Sequence, residues 1–127
     1  MSATVWQLPC KSQEFDQGPM LRQDPGDQVA IAYDFEQQSG EYGWEEMLFT
    51  GVISLRFTSS RYCSEEQVGA YDKVEVVDGS AWSAAVLEAP LDLQHYRIYF
   101  DDVGCYEILA TGFVPPHEGC ECDPRLP

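Results

Sequence analysis

The sequence predicts a mainly β protein, an antiparallel sandwich or open barrel of about five to six strands with one or two short helices. Three observations predict it. Residues 95–111 alternate apolar and polar side chains on both sides of a turn that contains Gly104. Shorter stretches with the same period recur at 29–36, 47–58 and 71–78, bounded by Gly, Pro, Ser or Asp. No regular strand, helix, strand succession points to a parallel doubly wound sheet. One curved sheet with a helix packed across it is the alternative. With 127 residues, 44% of them hydrophobic, the chain is long enough for one core without a disulfide or metal staple. Residues 1–114 read as a single globular domain and 115–127 as a flexible tail rich in Pro and Cys.

In order, residues 4–8 (TVWQL) suit a short strand that Pro9 stops. Residues 10–28 hold few apolar side chains and two Gly-Pro or Pro-Gly steps, and read as a long connection over the surface. Residues 29–36 (VAIAYDFE) form a strand with Val29, Ile31, Tyr33 and Phe35 inward. After a polar loop over 37–43, residues 47–58 read as one long strand. Met47, Phe49, Ile53, Leu55 and Phe57 are in phase, and Gly51 is placed to bend it. Ser64 and Gln67 have capping-box spacing for a short helix within 63–70. Residues 71–78 form a strand, and 80–89 a helix capped by Ser80 and ended by Pro90.

The hairpin at 95–111 places Tyr96, Ile98, Phe100, Tyr106, Ile108 and Ala110 on the core face. A three-residue loop ending at Gly104 pairs Phe100 with Tyr106, Tyr99 with Glu107 and Ile98 with Ile108. The opposite face carries His95, Arg97, Tyr99 and Glu107, with Arg97 diagonal to Glu107 across the strands. Those four side chains are the candidate small-ligand site. A concave pocket enclosing Arg97, Tyr99 and Glu107 would favour that function, and a flat sheet face would remove it.

Charge is the dominant compositional feature: 22 acidic against 7 basic residues, a formal net charge of −15. Such a surface repels phosphate backbones, which argues against nucleic acid, and it attracts a basic protein. Two acidic clusters are candidate partner contacts: Glu41, Tyr42, Trp44, Glu45 and Glu46, and the Asp101-Asp102 pair at the hairpin tip. Five cysteines make no even disulfide framework, and the chain shows neither a leader-like start nor an apolar run of membrane-spanning length. The expectation is therefore a reduced, cytoplasmic protein off the membrane. His117, Cys120 and Cys122 are weak metal candidates, because a structural zinc site needs four ligands. No P-loop, G-x-S-x-G, H-E-x-x-H or G-x-G-x-x-G motif occurs, and no cofactor is implied.

The segments WEEMLFTGV at Trp44, AYDKVEVV at Ala70 and HYRIYFDDVGCYEILA at His95 resemble a group of small, acidic, uncharacterised bacterial proteins. That resemblance implies no activity. In size and acidity the chain is also similar to bacterial immunity proteins, which neutralise a cognate toxin. The first functional expectation is thus a non-enzymatic acidic protein-interaction domain, such as an inhibitor or immunity-type binder of a basic partner. The alternative is a β domain that binds a small ligand or metal.

Overall fold

The computed structural model describes residues 2–116. The candidate metal ligands His117, Cys120 and Cys122 lie outside the described residues. The strands are β1 Ser2–Gln7, β2 Met20–Asp24, β3 Gln28–Glu36, β4 Tyr42–Thr50, β5 Ser54–Ser59, β6 Lys73–Val77, β7 Gln94–Phe100, β8 Gly104–Ala110 and β9 Gly112–Val114. Helical turns α1, Glu65–Val68, and α2, Ala81–Ala84, flank β6 in the chain. Five strands form one antiparallel sheet in the order β1-β6-β7-β8-β5, and four form another in the order β2-β3-β4-β9. Ile31, Tyr33, Met47 and Phe49 of the smaller sheet meet Val74, Ile98, Phe100 and Ile108 of the larger in one core. Period-2 alternation thus builds the predicted sandwich, open at its edges.

Three strands beyond the predicted set have separate causes. The 47–58 run is divided by Gly51, whose φ of +61° turns the chain from one sheet into the other. Its partner strand turns there too: the Thr111 N–H donates to the Thr50 carbonyl at 3.0 Å, and the Ile53 N–H to the Leu109 carbonyl at 2.8 Å. β4 pairs with β9 before the corner and β5 with β8 after it, so a two-stranded ribbon bends across both sheets. The predicted inward phase holds before the bend and only at Leu55 after it, where Val52 packs on the core instead of Ile53. Met47 and Phe49 are buried and Leu55 packs on the core, while Ile53 at the corner and Phe57 on the edge strand remain exposed.

The segment at 10–28 is not a bare connection. It contains a 3₁₀ turn at Ser12–Glu14 and the edge strand β2, which returns through residues 25–27 to pair with β3. Buried carboxylates hold its first part in place. Asp34 accepts the N–H groups of Asp16, Gln17 and Gly18 at 3.2, 2.7 and 2.8 Å. Asp72 accepts from the Ser12 N–H at 3.1 Å and from the Ser12 hydroxyl. Phe15 then stacks on Tyr33 with ring centroids 5.5 Å apart, closing that end of the core.

The hairpin keeps every predicted face but shifts register by two residues. Phe100 pairs with Gly104, Tyr99 with Cys105, Ile98 with Tyr106 and Arg97 with Glu107. A two-residue slip preserves side-chain direction, which is why alternation alone does not decide it. Gly104 is needed inside β8 instead of in the loop, because a Cβ there would overlap the Thr58 carbonyl of β5. Asp102 takes the left-handed position, at φ +61°.

Candidate functional site

The outward face of β7 and β8 is not solvated. α1 packs over β7 and β8, and α2 over β7. Their starts are set locally. Ser64 and Gln67 form the predicted capping box, with bonds of 3.2 and 2.8 Å. Ser80 accepts the Ser83 N–H at 3.1 Å. α2 stops at Ala84, well short of the predicted helix, and Trp82 turns towards the β7 face.

Cross-strand register lines up four charges of alternating sign. Glu75 stands opposite Arg97, Arg97 opposite Glu107, and Glu107 opposite Arg56. The Arg97 Nε donates to Glu75 at 3.2 Å, and Lys73 Nζ lies 3.5 Å from the same carboxylate. Glu107, 2% exposed, accepts from Arg56 Nε at 2.9 Å and from the Gln67 amide at 3.0 Å through one oxygen. Its other oxygen meets His95 Nε2 at 2.9 Å, and His95 Nδ1 meets the Ser80 Oγ at 2.7 Å. Burial alone would raise the Glu107 pKa, but the bonds from His95, Arg56 and Gln67 outweigh it and bring the carboxyl down to about 2.

The ionised carboxylate only accepts, so His95 Nε2 carries a proton. In the neutral ring Nδ1 is then the acceptor for the Ser80 hydroxyl. Trp82 fixes the imidazole edge-on with centroids 5.1 Å apart, and the Arg56 guanidinium lies 4.1 Å from the Trp82 ring centre. These groups surround a cleft of about 690 Å³ lined by Arg56, Gln67, Ser80, Trp82, Arg97 and Glu107, among others.

Of the four candidate ligand residues, His95, Arg97 and Glu107 share this cleft. Tyr99 does not. It packs with Ala70, Cys105 and Cys63 further along the same face. Cys105 is fully buried in that cluster, and burial, then the Glu107 charge, raises its thiol to about 12. Arg56, Gln67, Ser80 and Trp82 escaped the sequence reading as site residues. Gln67 and Ser80 were legible only as caps, and Arg56 only as an outward strand position.

The candidate partner residues fall in different places. Trp44 is 46% exposed on the outer face of β4, with Met20 of β2 at 49%. Tyr42 and Glu46 are exposed on the same outward positions of β4, and Glu46 pairs with Arg22. Together with Ala32 and Pro116, Trp44 and Met20 line a shallow groove of about 860 Å³. Glu45 points the other way, accepting the hydroxyl of the buried Tyr33 at 3.0 Å. Glu41 is exposed in the turn before β4. Asp101 and Asp102 belong to the other sheet's hairpin tip, where Asp101 accepts the Tyr71 hydroxyl at 2.9 Å. Among the described residues no three His, Cys, Asp or Glu side chains gather as metal ligands, and no helix is long and apolar enough to cross a membrane.

Comparison with family models, curated proteins and solved structures finds no match to this chain.

Proposed function

We propose that the protein binds a small anionic ligand, a carboxylate or phosphate, in the cleft over β7 and β8. One observation carries this reading: in a chain with 7 basic residues against 22 acidic ones, Arg56 and Arg97 converge on one cleft. Each commits its Nε to a carboxylate, and among the described residues the Nη groups make no hydrogen bond. A guanidinium presents a planar fork to carboxylate or phosphate oxygens, and Glu75 and Glu107 hold each fork in position. Trp82 supplies an aromatic wall. The cytoplasm suits this protein, since the thiols of Cys10, Cys63 and Cys105 are free.

The test is titration of the full chain with acetate, succinate, citrate and phosphate, read by amide NMR shifts. Saturable shifts at Ser80, Trp82 and Arg97 are expected with at least one of them. Arg97→Gln should weaken that binding about tenfold or more. No saturable shift with any of the four anions would sink the reading.

A second reading rests on the other sheet. Trp44 and Met20 expose apolar surface beside Glu46, which suits docking of a basic protein, as an inhibitor or immunity-type binder would. Because Glu45 is turned inward, the informative reversals are Glu46→Lys and Trp44→Ala. Both should weaken capture of such a partner, and the first should also reduce its salt dependence.

A further inference from the structure

Ser80, His95 and Glu107 occupy separate elements, and no motif links them in the chain. In space they form a continuous hydrogen-bonded line, Ser80 Oγ to His95 Nδ1 at 2.7 Å and His95 Nε2 to Glu107 at 2.9 Å. All three are buried, and all three line the cleft. A serine, a base that takes its proton and a carboxylate that orients the base are the parts of an activated nucleophile, recognised by role and geometry. The imidazole uses its nitrogens in the opposite sense to the usual arrangement, and either nitrogen serves as base when the other is protonated. The oxygen inventory also fits. With His95 in the tautomer protonated at Nε2, Ser80 Oγ donates to Nδ1 and accepts the Ser83 N–H, which leaves one lone pair for a carbonyl carbon.

We propose that Ser80 is a nucleophile that cleaves small esters carrying a negative charge. This rests on the reading that the cleft admits a small anion, with Arg56 and Arg97 holding the charged group. Ser80 Oγ bonds to the ester carbonyl carbon as its hydroxyl proton passes to His95 Nδ1, and the carbonyl electron pair moves onto oxygen. Collapse of that intermediate breaks the bond to the alcohol, which leaves with the proton from Nδ1. Water then attacks the acyl-serine, gives its proton to Nδ1, and Ser80 regains it. Nothing is oxidised or reduced. Glu107 stays ionised throughout and keeps Nδ1 facing the serine.

The test is covalent labelling of the full chain with a small fluorophosphonate, read by intact mass and peptide mapping. One adduct on Ser80 is expected, formed by the native chain and absent in urea. Ser83→Ala and Ser64→Ala should keep it. His95→Ala should label about a hundredfold more slowly, with added imidazole restoring part of the rate, a rescue that a packing role would not produce. No adduct on the native chain, or an adduct on another serine, overturns the proposal. So does labelling of His95→Ala at the wild-type rate. Saturable anion shifts without a Ser80 adduct would overturn the nucleophile alone, and a Ser80 adduct in a chain that shifts with none of the anions would overturn the anion reading and the charged substrate class, leaving only the nucleophile.

Discussion

The two outward faces of this sandwich receive opposite treatment. On the five-stranded sheet, the chain returns across β7 and β8 as α1 and α2, and the polar face beneath is buried with its charges paired. On the four-stranded sheet, β2, β3 and β4 are joined by short turns that stay at the ends, so Met20 and Trp44 face outward uncovered. The covered face has polar side chains where the core face has apolar ones. Each buried group is tolerated because it has a partner, since an unpaired one costs several kcal/mol. Connection length, more than strand composition, decides which face becomes a site with a rigid floor.

The contrast breaks most sharply at Glu107. Glu107→Ala strips His95, Arg56 and Gln67 of their shared acceptor and should cost about 3–5 kcal/mol in urea unfolding. Glu46→Ala on the exposed face should cost less than about 1 kcal/mol. Equal losses would erase the distinction between the faces.

Acid sharpens it next. Glu107 has its pKa lowered from 4.5 to about 2 in the folded chain. The stability this contributes is fully present above the unfolded value and is lost as pH falls from about 4.5 to about 2, an effect of roughly 3 kcal/mol. Glu107→Gln should flatten that part of the pH–stability curve, and an unchanged curve would show that the carboxylate is not held as described.

Smaller effects follow. Ser80→Ala removes the cap of α2 and should cost about 1 kcal/mol in chemical denaturation. A near-zero cost would mean that α2 does not depend on it. Trp44→Ser should change stability by no more than about 0.5 kcal/mol, because the side chain lies outside the core and is 46% exposed. A larger loss would show that this face is packed in solution.

The sandwich class and the facing of its strands were legible because strict alternation leaves little freedom: Tyr96, Ile98 and Phe100 point inward as read. The capping box at Ser64 and Gln67 was legible for the same local reason. The hairpin register was not, because the close approach of β5 to Gly104 is a contact between distant parts of the chain. β2 was missed because Met20-Leu21-Arg22 has little alternation, although the Asp24-Pro25-Gly26-Asp27 turn after it is a hairpin signal. The site was half legible. His95, Arg97 and Glu107 share a strand pair, but Arg56, Gln67 and Ser80 join them only once the edge strand and two helical turns are in place.

The bent ribbon and the strand order also set a timetable for folding. The meander β2-β3-β4 joins neighbours in the chain, so its hairpins close cheaply and early. β1 has to wait, since Gln7 pairs with Lys73 and Ser2 with Val77. The cleft comes later still, because β8 must align with both β5 and β7 before Glu107 meets Arg56 and His95. Until β6 and β9 dock, β1 and the outer edge of β4 are unpaired templates for other strands, which makes that interval the one in which this chain is most exposed to misassociation.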